Sequence, residues 1–129
     1  MMAILSDIHS NLYALEAVLE DMPKVSAVYV LGDIVGGVSP FPCEVLDRIM
    51  GLDVPVSAVL GNWEDWLLRT RHDIKETTLA VEAWTIDALQ EHHWNYLQKL
   101  EQSLQIDDKL LFHGTPEQFR DEILCQNDA

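Results

Sequence analysis

Four places in this 129-residue chain pair a metal-ligating side chain with the end of an apolar run. They are Asp7-Ile8-His9, Gly32-Asp33, Gly61-Asn62 and His113-Gly114. Asp7 and His9 are two apart, so an extended backbone would point the carboxylate and the imidazole to one side, where both could meet a divalent cation. Each place also has an ordinary reading. Asp and His near a helix start commonly cap the helix or meet solvent, and Asp or Asn after Gly commonly serves a turn. The order of the four, each closing a strand-like run, favours chemistry over four separate turns.

The elements that must position them follow from the pattern of apolar residues. Met1 to Leu5 reads as a short strand. After Ser10, read as the N-cap, Leu12, Leu15, Val18, Leu19 and Met22 recur at helical steps until Pro23. Val25 to Leu31 is a buried-strand run closed by Gly32-Asp33. A glycine- and proline-rich loop leads to a helix over Cys43–Met50, and Val54 to Leu60 forms a third strand ending at Gly61-Asn62. Alternating strands and helices with short links predict an α/β fold with a parallel sheet, whose carboxyl ends share one edge. Asp7, His9, Asp33 and Asn62 should meet there.

From Trp63 to Gln102 the chain reads as helical with a break near Arg71 to Thr78, and Leu67, Leu79, Trp84, Leu89, Leu97 and Leu100 are expected to face inward. His72, His92 and His93 are read as core or solvent residues. Adjacent histidines point about 100° apart on a helix and do not readily share a metal. Leu104–Asp107 and Leu110–His113 form two strands joined by a tight turn, and Phe119, Ile123 and Leu124 suggest a last helix.

Composition narrows the function. Twenty-two acidic residues against 8 basic ones give a net charge of −14, which disfavours non-specific nucleic-acid binding and anionic membranes and favours cations. No run approaches the roughly 18 apolar residues of a membrane span, and the first residues lack a signal-peptide pattern. Cys43 and Cys125 have no metal-knuckle spacing and are expected to be reduced. A cytoplasmic protein is the expectation. Neither of the glycine-rich phosphate-binding motifs of nucleotide-binding domains occurs.

The ordered set Asp-x-His, Gly-Asp, Gly-Asn and His-Gly, with the flanks Leu5-Ser6-Asp7-Ile8-His9-Ser10-Asn11-Leu12 and Leu31-Gly32-Asp33-Ile34-Val35-Gly36, resembles the calcineurin-like metallophosphoesterases. The flanks are similar to the bacterial branch described as YfcE-like or diadenosine-tetraphosphatase-like. The resemblance implies metal-dependent hydrolysis of a phosphate mono- or diester by a metal-bridging hydroxide. It implies that Asp7 and His9 bind a first metal, Asp33 bridges two, and Asn62 and His113 bind the second, with Mn²⁺, Fe or Zn²⁺ as the ions. One carboxylate bridging two cations, completed by imidazole and amide oxygen, is a donor set suited to such ions.

Two departures from the family pattern stand out. Relatives carry a histidine near the leaving group where this chain has Trp63, so no general acid is assigned, and Glu64 or Asp65 could replace it only with a raised pKa. The family's downstream Gly-His-x-His motif has no counterpart before Ala129. The expectation is therefore a single, partial domain over residues 1–129, truncated at its C-terminal side, with the second sheet of the sandwich largely missing and the metal site incomplete. A homo-oligomer would cover the apolar surface left bare. The alternative to a phosphoesterase is a non-catalytic remnant acting as an interaction or metal-binding module.

Overall fold

The computed structural model describes residues 1–74 and 79–116. Three strands, β1 (Met2–Leu5), β2 (Ala27–Val30) and β3 (Val56–Ala58), form a parallel sheet in the order β1-β2-β3. Met2 lies opposite Ala27 and Leu5 opposite Val30, while Val28 lies opposite Val56. The parallel pairing is possible because α1 (Leu12–Asp21) and α2 (Pro42–Met50) return the chain between successive strands. The two helices touch each other, and their buried residues Leu15, Val45, Leu46 and Ile49 pack with Val28 and Val30 of the sheet. Burying such side chains is worth about 1.5–3 kcal/mol each, so this face supplies much of the driving force.

The cap of α1 differs from expectation. Asn11, not Ser10, is the N-cap, its side chain accepting from the Ala14 N–H at 3.1 Å. Ser10 is buried instead, and its Oγ accepts from the Gly36 N–H at 3.2 Å. The hydroxyl thus pins the glycine loop.

The stretch read as helical from Trp63 divides into α3 (Asn62–Thr70), α4 (Ala80–Ala88) and α5 (Glu91–Leu97). The expected break falls between α3 and α4, part of it outside the described residues. A second break at Leu89-Gln90 was not expected. There the Gln90 N–H is taken by His93 Nδ1 at 3.1 Å, which starts a new helix. Leu67, Leu89 and Leu97 are buried as expected, but Leu79 and Trp84 are exposed. Helix α4 carries Ala80, Val81, Ala83, Trp84, Ile86 and Ala88, apolar on several sides, so periodicity did not single out its inner face.

Strands β4 (Ser103–Ile106) and β5 (Lys109–Phe112) form an antiparallel hairpin turning at Asp107-Asp108. The hairpin is tied to the β3 edge: Val59 and Glu101 form a parallel bridge, and the Leu60 N–H donates to the Glu101 carbonyl at 2.7 Å. This connection carries the end of β5 back toward the sheet. Cys43 is a free thiol whose Sγ donates to the Ala88 carbonyl at 3.1 Å. Cys125 and the helix expected around Phe119 lie outside the described residues. Among the described residues, no helix is long and apolar enough to cross a membrane.

Candidate metal centre

The two loops after β1 and β2 run side by side past the strand ends. The Asp7 N–H donates to the Gly32 carbonyl at 3.2 Å, the His9 N–H to the Asp33 carbonyl at 2.9 Å, and the Ser10 N–H to the Ile34 carbonyl at 2.9 Å. Asp7, His9, Ser10 and Asp33 all have positive φ, of 55°, 48°, 58° and 53°. Left-handed backbone costs a non-glycine residue roughly 1–2 kcal/mol, and such residues gather where the surrounding structure holds them for a purpose. Asp7 and His9 therefore converge by a different route from the extended backbone expected.

Their side chains nevertheless face a common point. His9 Nε2 lies 3.5 Å from Asp7 Oδ1 and 3.6 Å from Asp33 Oδ2, and the three ligand atoms all lie within 4.8 Å of one another. Those separations exceed a hydrogen bond. Donors about 2.1 Å from a shared ion, at angles of 90–110°, are themselves roughly 3.0–3.5 Å apart, so the spacing fits a cation. Among the described residues, His9 Nδ1 is buried with no hydrogen-bond partner.

His113, at the end of β5, completes the cluster from the other side. Its Nδ1 sits 2.6 Å from the Leu31 carbonyl, which can only accept, so Nδ1 carries a proton, and in the neutral form of the ring Nε2 would present a lone pair. That Nε2 lies 2.9 Å from Asn62 Oδ1 and 3.6 Å from Asp33 Oδ2. Three electron-rich atoms meeting without a proton are what a cation gathers. In its absence, a protonated His113 or an Asn62 amide turned to donate satisfies the same contacts. Asp33 is thus central: Oδ2 faces both imidazoles, and Oδ1 accepts from the Trp63 N–H at 3.0 Å. Burial pushes the Asp33 carboxyl above its usual range, with the Asp7 charge adding to the rise and the Trp63 N–H, His113 and His9 opposing it. All five predicted residues, Asp7, His9, Asp33, Asn62 and His113, are brought together.

Neither acidic neighbour of Trp63 stands in for a missing acid. Glu64 is fully buried and its carboxyl is pushed up to about 7 by burial, yet both of its oxygens are taken by backbone N–H groups behind Asp33. Asp65 pairs with Arg69. The Trp63 indole packs edge-on against His9, ring centroids 6.3 Å apart, and lies so close to Gly36 that a Cβ there would sit 2.5 Å from the ring.

Two arrangements were not anticipated. Glu64 follows Gly61 by three residues, the spacing of a reciprocal N-terminal cap, and that spacing was the available signal. The other is away from the strand ends. His92 and His93 both bring Nε2 to 2.9 Å from Asp47 Oδ1, with ring centroids 3.8 Å apart. Near the start of α5 the side chains of neighbouring residues bend toward one another, which corrects the expectation that they diverge. His93 Nδ1 already accepts from Gln90, so its Nε2 bears the proton and donates to Asp47; the cluster is a hydrogen-bonded clasp between α2 and α5.

Comparison with known proteins gives the family and the fold. The family model described as the calcineurin-like phosphoesterase superfamily domain matches residues 1–126. An uncharacterised protein of Methanocaldococcus jannaschii is 32% identical over 126 residues, covering 90% of this chain and 50% of the relative. The crystal structure of a metallophosphoesterase from Sphaerobacter thermophilus superposes with a TM-score of 0.81 at 35% identity, over 95% of this chain and 50% of that one. That of a hypothetical protein from Pyrococcus horikoshii gives 0.73 at 24% identity, over 99% and 61%, and speaks for the fold alone. The chain spans about half the length of the curated relative it matches.

Proposed function

Because this chain belongs to the calcineurin-like phosphoesterase superfamily, we propose that it takes part in metal-dependent hydrolysis of phosphate esters, with Asp33 as the shared ligand of two cations. Asp7, His9 and Asp33 would hold one ion; Asp33, Asn62 and His113 would hold the other. The observation that carries this reading is the position of Asp33 Oδ2, 3.6 Å from His9 Nε2 on one side and 3.6 Å from His113 Nε2 on the other. Bound cations would acidify water and offset charge on the phosphoryl oxygens. They would also let a chain of net charge −14 hold an anionic ester.

The chain's own side chains do the positioning. The Trp63 N–H holds Asp33 Oδ1 and so leaves Oδ2 for the ions. The Leu31 carbonyl fixes the His113 ring with its lone pair inward. Trp63 walls the His9 side with carbon and has no proton to give at the pKa such catalysis needs. Esters whose leaving group departs as a stable anion are the favoured substrates.

The second reading, a metal-binding module without turnover, draws on Trp63, which stands where relatives carry a histidine near the leaving group. Hydrolysis of p-nitrophenyl phosphate and bis(p-nitrophenyl) phosphate with added Mn²⁺ separates the two. Activity above the Mn²⁺ background that disappears in Asp33→Ala supports the hydrolase; activity that survives the substitution sinks the role given to Asp33. Met2, Ile4 and Val18 are exposed along β1 and α1, which supports association with a further copy. A monomer by light scattering at micromolar concentration would count against that association.

A further inference from the structure

Among the described residues, Glu64 is the buried acid whose purpose the ligand set leaves unexplained. It lies on the first turn of α3 with no exposed surface. Its Oε2 accepts from the Asp33 N–H at 2.9 Å and the Gly61 N–H at 3.0 Å, and its Oε1 accepts from the Val35 N–H at 2.9 Å. Those donors come from two chain segments, the loop after β2 and the turn after β3. Burying a carboxylate is costly unless it is well hydrogen-bonded, so an acid here needs a reason beyond filling space.

The reason lies in the backbone it grips. Asp33 has φ +53°, a left-handed conformation that is uncommon for a non-glycine residue, although Asp adopts it more readily than most, so contacts that hold it there matter. The contact is also reciprocal: the residue before Glu64, Trp63, donates its N–H to Asp33 Oδ1. Gly61 lets the two loops approach, since a Cβ there would fall 2.2 Å from Asp33 N and 2.6 Å from Glu64 Oε2. Main chain and side chain of Asp33 are therefore both clamped from α3, which leaves one carboxylate oxygen pointing between His9 and His113.

We propose that Glu64 is a positioning residue for the metal centre: it holds the Asp33 backbone in the left-handed conformation and locks the β2 and β3 ends together, so that Asp33 Oδ2 faces both imidazoles. This rests on the reading of Asp33 as a ligand. Glu64→Gln keeps the shape but offers one oxygen to three N–H donors and turns an N–H₂ toward one of them.

The test uses Co²⁺ added to the full chain, read by its visible absorption spectrum and by the affinity from titration. Glu64→Gln is expected to weaken Co²⁺ binding by about 10–100-fold, the range for residues that orient ligands, and to change the spectrum of the bound ion. Leu67→Ala, a core change on the same helix, should lower the melting temperature while leaving affinity and spectrum as in the wild type. Asp33→Asn should abolish binding at the shared position. Wild-type affinity and spectrum in a folded Glu64→Gln overturn the proposal. If Asp33→Asn binds Co²⁺ normally, the reading of the site fails first and the role of Glu64 falls with it. Glu64→Asp, which keeps the charge but is a methylene too short to reach both loops, serves if the Gln variant does not fold; weakened binding is expected there too, and unchanged binding overturns the proposal.

Discussion

His9 Nε2 stands 3.6 Å from Asp33 Oδ2, beyond a hydrogen bond and within the spacing of two donors on one ion. The backbones of these residues are joined more tightly than their side chains, by the His9 N–H to Asp33 carbonyl bond of 2.9 Å. The scaffold is thus closed while the functional atoms stay apart.

Gly61→Ala should disrupt both the fold and the site. The added methyl would sit 2.2 Å from Asp33 N and 2.3 Å from Asp33 Oδ1, and backbone cannot yield there as a flexible side chain could. Overpacking of this kind costs about 1–3 kcal/mol or more. Urea unfolding of the metal-free protein measures it, and a wild-type midpoint would show that the two loops are looser than described.

The clasp of α2 with α5 gives a pH dependence of known sign. The side-chain bond to His92, helped by that to His93, holds the Asp47 carboxyl below its usual range against the opposing effect of burial. A carboxyl lowered in the folded state contributes stability above its unfolded pKa of about 3.9 and loses it as pH falls through the folded value. Asp47 is more than half exposed, so the contribution is small, about 1 kcal/mol at most. Asp47→Asn should therefore flatten the stability profile below about pH 4, where a profile parallel to wild type would contradict the clasp. His93→Ala should cost more than His92→Ala, because His93 is buried and also holds the Gln90 N–H.

Trp63→His should change which esters are cleaved. The indole now packs against His9 with the two rings nearly perpendicular. An imidazole there could protonate a poor leaving group, a contribution of about 10²–10⁴-fold where geometry allows. The expected outcome is a selective rise with alkyl phosphates over p-nitrophenyl phosphate, read as the ratio of kcat/KM values. An equal change with both would mean that leaving-group protonation does not set the preference.

Much of this site was legible because ligands at strand ends obey topology: once three strands are parallel, Asp7, His9, Asp33 and Asn62 share an edge whatever their side chains do. His113 was legible only as the end of a fourth apolar run, since its placement depends on the Glu101 bridge to β3. Glu64 was not legible as a buried residue. A charged side chain on a first turn reads as solvent-facing, and its burial comes from donors at Asp33 and Val35, about thirty residues away. Ser10 was misread as a cap because Ser and Asn are equally good caps and adjacent here. The Asp47 pairing with His92 and His93 joins residues 45 and 46 apart, which no local pattern reports. The split between α4 and α5 turned on one side-chain bond, from Gln90 N–H to His93.

The central claim is that Asp33 is a shared ligand, and calorimetric titration of the full chain with Mn²⁺ tests it most directly. The account predicts at least one Mn²⁺ bound per chain, and binding lost or sharply weakened in Asp33→Asn with the fold retained by circular dichroism. A stoichiometry well below one, or the same titration curve for wild type and Asp33→Asn, would contradict it.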